Sequence, residues 1–416
     1  MHYDLIRIPL EQKLGTEIFN TLEGDILNDI MTEGKVEGMS FDYHRMLQGH
    51  NFKVSAQLAP GLFGIFQEVI ETLEFTEPLE FYINNSPELN AFAVASITDD
   101  KPHIININSG LIERLTDREL RFVVGHEVGH IISRNANIMS LIHFVFPNEA
   151  RMPVLLQHKI NLWKKMSELT ADRFGYIACN DLASCVSGFF KIASGLNSER
   201  VKFDYKAYIE ENERILGIFG ENGAGNNLSH PINPIRIKAI QLYAASKLHS
   251  DVFEETPPQK DAELENAINE LTKTLLILGS SPLDHYRKQF VATAGIVMSN
   301  IDSEINDDEY EAILNTLSNF TIFPLEYLDS IVKTGKVGEL FGESIDKILE
   351  INPGDRFVML NMLINLAHSD HRITREEIAF LFEIGTKALG MSRKEVAQMI
   401  AENIQQGFYP NMYGNG

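Results

Sequence analysis

The chain is short of several things, and each shortage narrows its reading. Two cysteines, Cys179 and Cys185, in 416 residues cannot form a disulfide framework. They lie six apart in an apolar, helix-like stretch, so buried free thiols in a reducing compartment are expected. Positive charge is scarce: 36 Lys and Arg face 58 Asp and Glu, for a formal net charge of -22. That disfavours a duplex nucleic-acid partner, which needs a basic footprint, and adsorption to anionic membranes. Uninterrupted apolar runs are missing too. No stretch reaches the roughly 20 residues needed to span a bilayer as a helix. The first residues lack the charged and apolar regions of a secretory signal. The expectation is a soluble, cytoplasmic protein with no integral membrane segment.

What is present fits an ordinary globular protein, 44% hydrophobic and 23% charged, with enough apolar material for two or three domains. Helical periodicity dominates residues 1–75. It gives way to three short strand-like runs, Leu79–Ile83, Ala91–Ile97 and His103–Asn108, separated by turn-rich segments. Helical periodicity then returns and persists. The proline-bearing polar stretch near Thr256–Asp261 reads as a linker. The division expected is therefore 1–255, a linker over 256–264, and an all-helical region over 265–416. The fold class is α+β, mostly helical, with one small sheet in the first domain. Within the last region, Asp302-Ser303-Glu304-Ile305 with Glu309 resembles Asp370-His371-Arg372-Ile373 with Glu377, a spacing of 68 residues. A duplicated helical hairpin, or chance likeness of two acidic helix starts, would give this pattern.

The chemistry centres on His126-Glu127-Val128-Gly129-His130. Thr116 and Glu119 form the sequence of a capping box, so the motif falls on a helix running to about Ile132. Two histidines four apart share a helix face and can meet one zinc ion. Glu127 lies beside them, where a carboxylate can take a proton from water made more acidic by zinc. Gly129 weakens the helix, and a close approach by another element would explain it. Downstream, Glu168 and Asp172 are again four apart on a helical pattern. Glu168 can supply the third ligand of a site with one open position, and Asp172 can fix the tautomer of a ligand histidine. A solvated acidic face would show the same spacing. His230-Pro231 follows a Gly- and Asn-rich loop, and Asn233-Pro234 reads as cap and first turn of a helix carrying Arg236. His230 and Arg236 either donate to a developing oxyanion or mark an ordinary surface loop and helix start.

Taken in order, these pieces make residues 75–245 resemble metallopeptidase family 48, the group of the HtpX-type heat-shock protease and the CAAX prenyl protease. Asn90-Ala91-Phe92-Ala93 is similar to the family's strand motif, and Ser109-Gly110-Leu111 to its turn into the active-site helix. The resemblance implies a gluzincin-type zinc endopeptidase with one catalytic Zn2+. His126, His130 and Glu168 would be ligands, and Glu127 the general base and acid. Asp172 would orient a ligand histidine, and His230 and Arg236 would stabilise the tetrahedral intermediate. The strand at Asn90, Ala91, Phe92 and Ala93 would pair with an extended peptide or protein substrate. More loosely, residues 265–405 resemble TerB-like domains linked to tellurite resistance, with Ser303 and His371 where that family has glycine. That part would serve as a scaffold for a protein partner. The rival reading is a catalytically silent protease fold acting as a binding protein or stress adaptor through its helical C-terminal domain.

Overall fold

The computed structural model describes residues 1–34, 46–96, 101–197, 200–222, 231–254, 259–276, 278, 281–299, 307–369 and 374–408. Two compact units emerge, Met1–Leu275 and Leu276–Gly416. The division falls later than the linker expected at 256–264. The helix Ala262–Thr272 packs on Asn233–Ala244, and its Glu265 pairs with the buried Arg173 at 3.0 Å, which holds it in the first unit.

The first unit is mostly helical around a four-stranded sheet. Its N-terminal helices are α1 (Tyr3–Ile6), α2 (Pro9–Thr21) and α3 (Gly24–Glu33). The strands are β1 (Phe52–Lys53), β2 (Leu79–Asn84), β3 (Ala91–Val94) and β4 (His103–Asn108), and α4 (Pro60–Thr72) lies between β1 and β2. The order is β1-β2-β4-β3. β2 and β4 run parallel with Leu79 opposite His103, while β3 returns antiparallel with Ala91 opposite Ile107. β4 is buried along its whole length, as a central strand should be. β3 is an edge strand of this sheet. β1 was not expected from sequence. It is two residues long, too short for an alternating pattern, and exists by pairing with β2.

Next come α5 (Ser109–Arg114), α6 (Asp117–Ile132), α7 (Asn135–Val145), α8 (Val154–Cys179) and α9 (Leu182–Ser194). Then follow α10 (Tyr205–Asn222), α11 (Asn233–Ala244), α12 (Lys247–Val252) and α13 (Ala262–Thr272). The expected capping box starts α6: Glu119 N donates to Thr116 Oγ1, and Thr116 N donates to Glu119 Oε2. Glu119 is also bound by the buried Lys191 of α9 at 2.7 Å. The closest packing in the unit is α6 on α8. A β-carbon on Gly129 would lie 3.1 Å from Ala171 Cα. On Gly125 it would lie 2.5 Å from Ala178 Cβ, and on Gly175 2.7 Å from the Phe122 carbonyl oxygen. Small residues thus let the two backbones meet, which accounts for Gly129 inside a helix.

The second unit is all-helical among its described residues. Its helices are α14 (Pro282–Ser299), α15 (Asp307–Leu317), α16 (Pro324–Lys333), α17 (Val337–Ile351), α18 (Asp355–Ala367), α19 (Arg375–Glu383) and α20 (Arg393–Gly407). They enclose an aliphatic core around Leu360, Leu363, Ile364 and Ile348, with Phe290 stacked on Phe341 at 5.5 Å. The repeated segments 302–305 and 370–373 lie outside the described residues. Among the described residues no helix is long and apolar enough to cross a membrane.

Candidate metal centre

The α6–α8 seam sets the site. Because the backbones touch, the histidines of one helix and the carboxylates of the other face each other at short range. His126 Nε2 and His130 Nε2 are 3.1 Å apart. His126 Nε2 lies 3.6 Å from Glu168 Oε2, and His130 Nε2 lies 3.4 Å from Glu168 Oε1. Two donors about 2.1 Å from one ion at a tetrahedral angle are roughly 3.4 Å apart, so these separations suit a single zinc-sized ion. Two imidazoles and a carboxylate are also the donor chemistry of a catalytic zinc site. Among the described residues these are the His, Cys, Asp and Glu side chains that converge in this way.

Around the donors sits a charged frame. Asp172, wholly buried, accepts from His126 Nδ1 at 2.9 Å. Arg236, in the first turn of α11, forks onto the same carboxylate through Nε at 2.8 Å and Nη2 at 2.6 Å. Its Nη1 reaches 3.4 Å from Glu168 Oε2, and its guanidinium lies 4.8 Å from the Phe189 ring centre. Burial alone would raise the Asp172 pKa, but Arg236 and His126 outweigh it and hold the carboxyl ionised, below its ordinary value. Burial would likewise lower Arg236, and Asp172 with Glu168 keeps it raised. At His130, burial draws the imidazole down while the Glu168 carboxylate more than compensates, so its pKa is raised. An ionised carboxylate only accepts, so Asp172 fixes the proton on His126 Nδ1 and leaves Nε2 for a metal.

The site opens into a cleft of about 920 Å³. Asn90, Ala91, Phe92 and Ala93 of the edge strand and its approach form one wall, and Glu127, His126, His130, Glu168 and Arg236 lie within it. Met139, Ser140 and His143 of α7 form another. His230 lies outside the described residues. Arg236 lines the cleft and at the same time forks onto Asp172 through Nε and Nη2. Its helix also begins one residue earlier than read. Ile232 occupies the cap position and Asn233 is already helical, without a capping bond. One contact was not foreseen. Asn135, three residues beyond α6, places Nδ2 3.1 Å from His130 Nδ1. A polar residue just past the ligand helix is a faint signal, and only the turn at Arg134 brings it back.

Comparison with known proteins agrees with this geometry. The family model for Peptidase family M48 matches residues 57–244. This stretch is similar to the M48 peptidase domain. It contains the sheet strands β2 to β4, both ligand helices and Arg236. The chain is 30% identical over 212 residues to a plastoglobule-localized metallopeptidase 48 of Arabidopsis thaliana, covering 48% of this chain and 61% of that relative. It is 32% identical over 89 residues to a Protease HtpX homolog of Streptococcus pyogenes, covering 21% of this chain and 29% of the relative. The chain thus spans about three fifths of the first relative's length and under a third of the second's. No solved structure matches.

Proposed function

We propose that this protein is a zinc-dependent endopeptidase whose ion is held by His126, His130 and Glu168. The observation that carries the reading is the convergence of these three donors at 3.1, 3.4 and 3.6 Å across the α6–α8 seam. A bound zinc ion supplies Lewis-acid polarisation of a carbonyl and makes water a stronger acid. The chain's own residues do the rest. Glu127, next to His126 and lining the cleft, accepts the proton of the attacking water. It returns that proton to the amine nitrogen as the peptide bond breaks. Asp172 keeps His126 in the tautomer that presents Nε2. Arg236 serves the carboxylates Asp172 and Glu168 and, lining the cleft, shares the oxyanion role with His230. The edge strand β3 offers backbone donors and acceptors to an extended substrate, whose apolar side chains would meet Phe92, Phe122 and Phe189. Buried free Cys179 and Cys185 support a reducing compartment such as the cytoplasm. The helical second unit is assigned to partner recruitment, of the TerB-like kind its sequence resembles.

The test joins metal analysis to a peptide-library cleavage screen on the full chain. One zinc per chain is expected, with cleavage abolished by chelator and restored by zinc. A protein that binds no divalent ion, or cuts equally well after chelation, would sink the reading.

A further inference from the structure

We infer that Asn135 is a positioning residue for the second histidine, its Oδ1 accepting a hydrogen bond from His130 Nδ1–H and so reserving His130 Nε2 for the metal. The inference rests on the metal-site reading above and adds a residue to it.

The two histidines are held differently. His126 has a charged partner that can only accept. His130 has an amide, which can present either an acceptor or a donor. Asn135 is the first residue of α7, turned back onto the site by the left-handed backbone of Arg134 (φ 55°, ψ 30°). It is 8% exposed. Its Nδ2 faces His130 Nδ1, while its Oδ1 is buried with no hydrogen-bond partner. A buried amide oxygen without a donor is unfavourable. With Nδ2 in that place, Nδ1 would have to accept. A neutral imidazole would then carry its proton on Nε2, pointing at His126 Nε2 and Glu168 Oε1. That proton would occupy the direction the ion needs. A half-turn of the amide resolves both conflicts. Oδ1 gains the Nδ1–H donor, and Nε2 keeps its lone pair in the donor triangle. Amide oxygen and nitrogen are assigned from such networks, and this network favours the carbonyl toward His130. The arrangement then matches the general habit of ligand histidines, whose second nitrogen donates to a carbonyl or carboxylate.

Nitrogen-15 NMR of the His130 ring in the full-length, metal-free protein tests this without any variant. The expected signature is a protonated Nδ1. Zinc titration adds a second readout. Asn135→Ala should weaken zinc binding about 10–100-fold. Asn135→Asp, which can only accept, should recover most of that loss, with circular dichroism unchanged in both. A wild-type His130 with no proton on Nδ1, or an Asn135→Ala protein with wild-type zinc affinity, overturns the inference. So does an Asn135→Asp protein no better than Asn135→Ala. If the wild-type chain takes up no zinc at all, the metal reading fails instead, and the ring tautomer still decides the Asn135 bond.

Discussion

The two units fill their interiors by different rules. In the first, the closest packing is backbone on backbone, and ionisable groups are buried at the seam: His126, Glu127 and Asp172, with Arg173 adjoining. In the second, the core is aliphatic and its tight glycines meet only side chains, Gly295 against Ile313 and Gly385 against Val396. Its strongest buried charge contact is Arg287 on Asp355, at 2.6 Å, on the margin of the core rather than in a cleft. An interior of hydrocarbon stabilises; an interior of paired charges at contact distance holds groups in place for chemistry. The contrast therefore places the proposed metal chemistry in the first unit.

The sharpest way to break that contrast is Glu127→Gln. It should lower turnover by about 10²–10⁴-fold while zinc content stays unchanged, as read by cleavage rate beside metal analysis. Retained cleavage would remove Glu127 from its role. Next in size are the glycines. Gly175→Ala places a methyl 2.7 Å from a backbone oxygen that cannot rotate away. It should cost about 1–3 kcal/mol and weaken zinc binding. Gly295→Ala meets the movable Ile313 side chain, so the loss should be smaller and zinc binding untouched. Trp163, the single tryptophan, lies buried in α8, so its fluorescence reports unfolding of the first unit. The two substitutions should differ in that signal.

Acid gives a third handle. The folded Asp172 pKa lies below its ordinary value of 3.8. Its stabilising share is therefore fully present above that value and is lost as pH falls through the folded pKa. In metal-free protein the Trp163 transition should move to lower denaturant as pH drops below about 4, and an Asp172→Asn variant should lack that part of the response. The smallest expected effects are at the caps. Thr116→Ala on α6 and Thr374→Ala on α19 each remove a capping box, for about 1 kcal/mol of stability. Zinc affinity should stay unchanged in both, since neither residue touches the donors.

Much of the first unit was readable because its signals are local. Thr116 with Glu119 announced α6, and the histidine and carboxylate spacings placed donors on shared helix faces. The three longer strands stood out through their turns and composition. What escaped depends on contacts distant in sequence. β1 exists only as a partner of β2. Gly125 and Gly175 gave no sign of their role, because close approach belongs to the pair of helices and not to either alone. The fork of Arg236 onto Asp172 was not foreseen, because only the folded chain brings the two together. Asn135 was hidden by a left-handed turn at arginine, a residue that does not advertise one.

The long helix α8 also has a second set of attachments. Glu168 and Asp172 face the histidines of α6, while Thr170 accepts from the backbone of Ile8 and Arg173 donates to the carbonyl of Ile6. One rod therefore holds the carboxylates of the candidate metal centre on one side and residues 6–8 on the other. Trimming that leading segment would leave the buried Arg173 guanidinium with Glu265 alone and slacken the rod that carries Glu168.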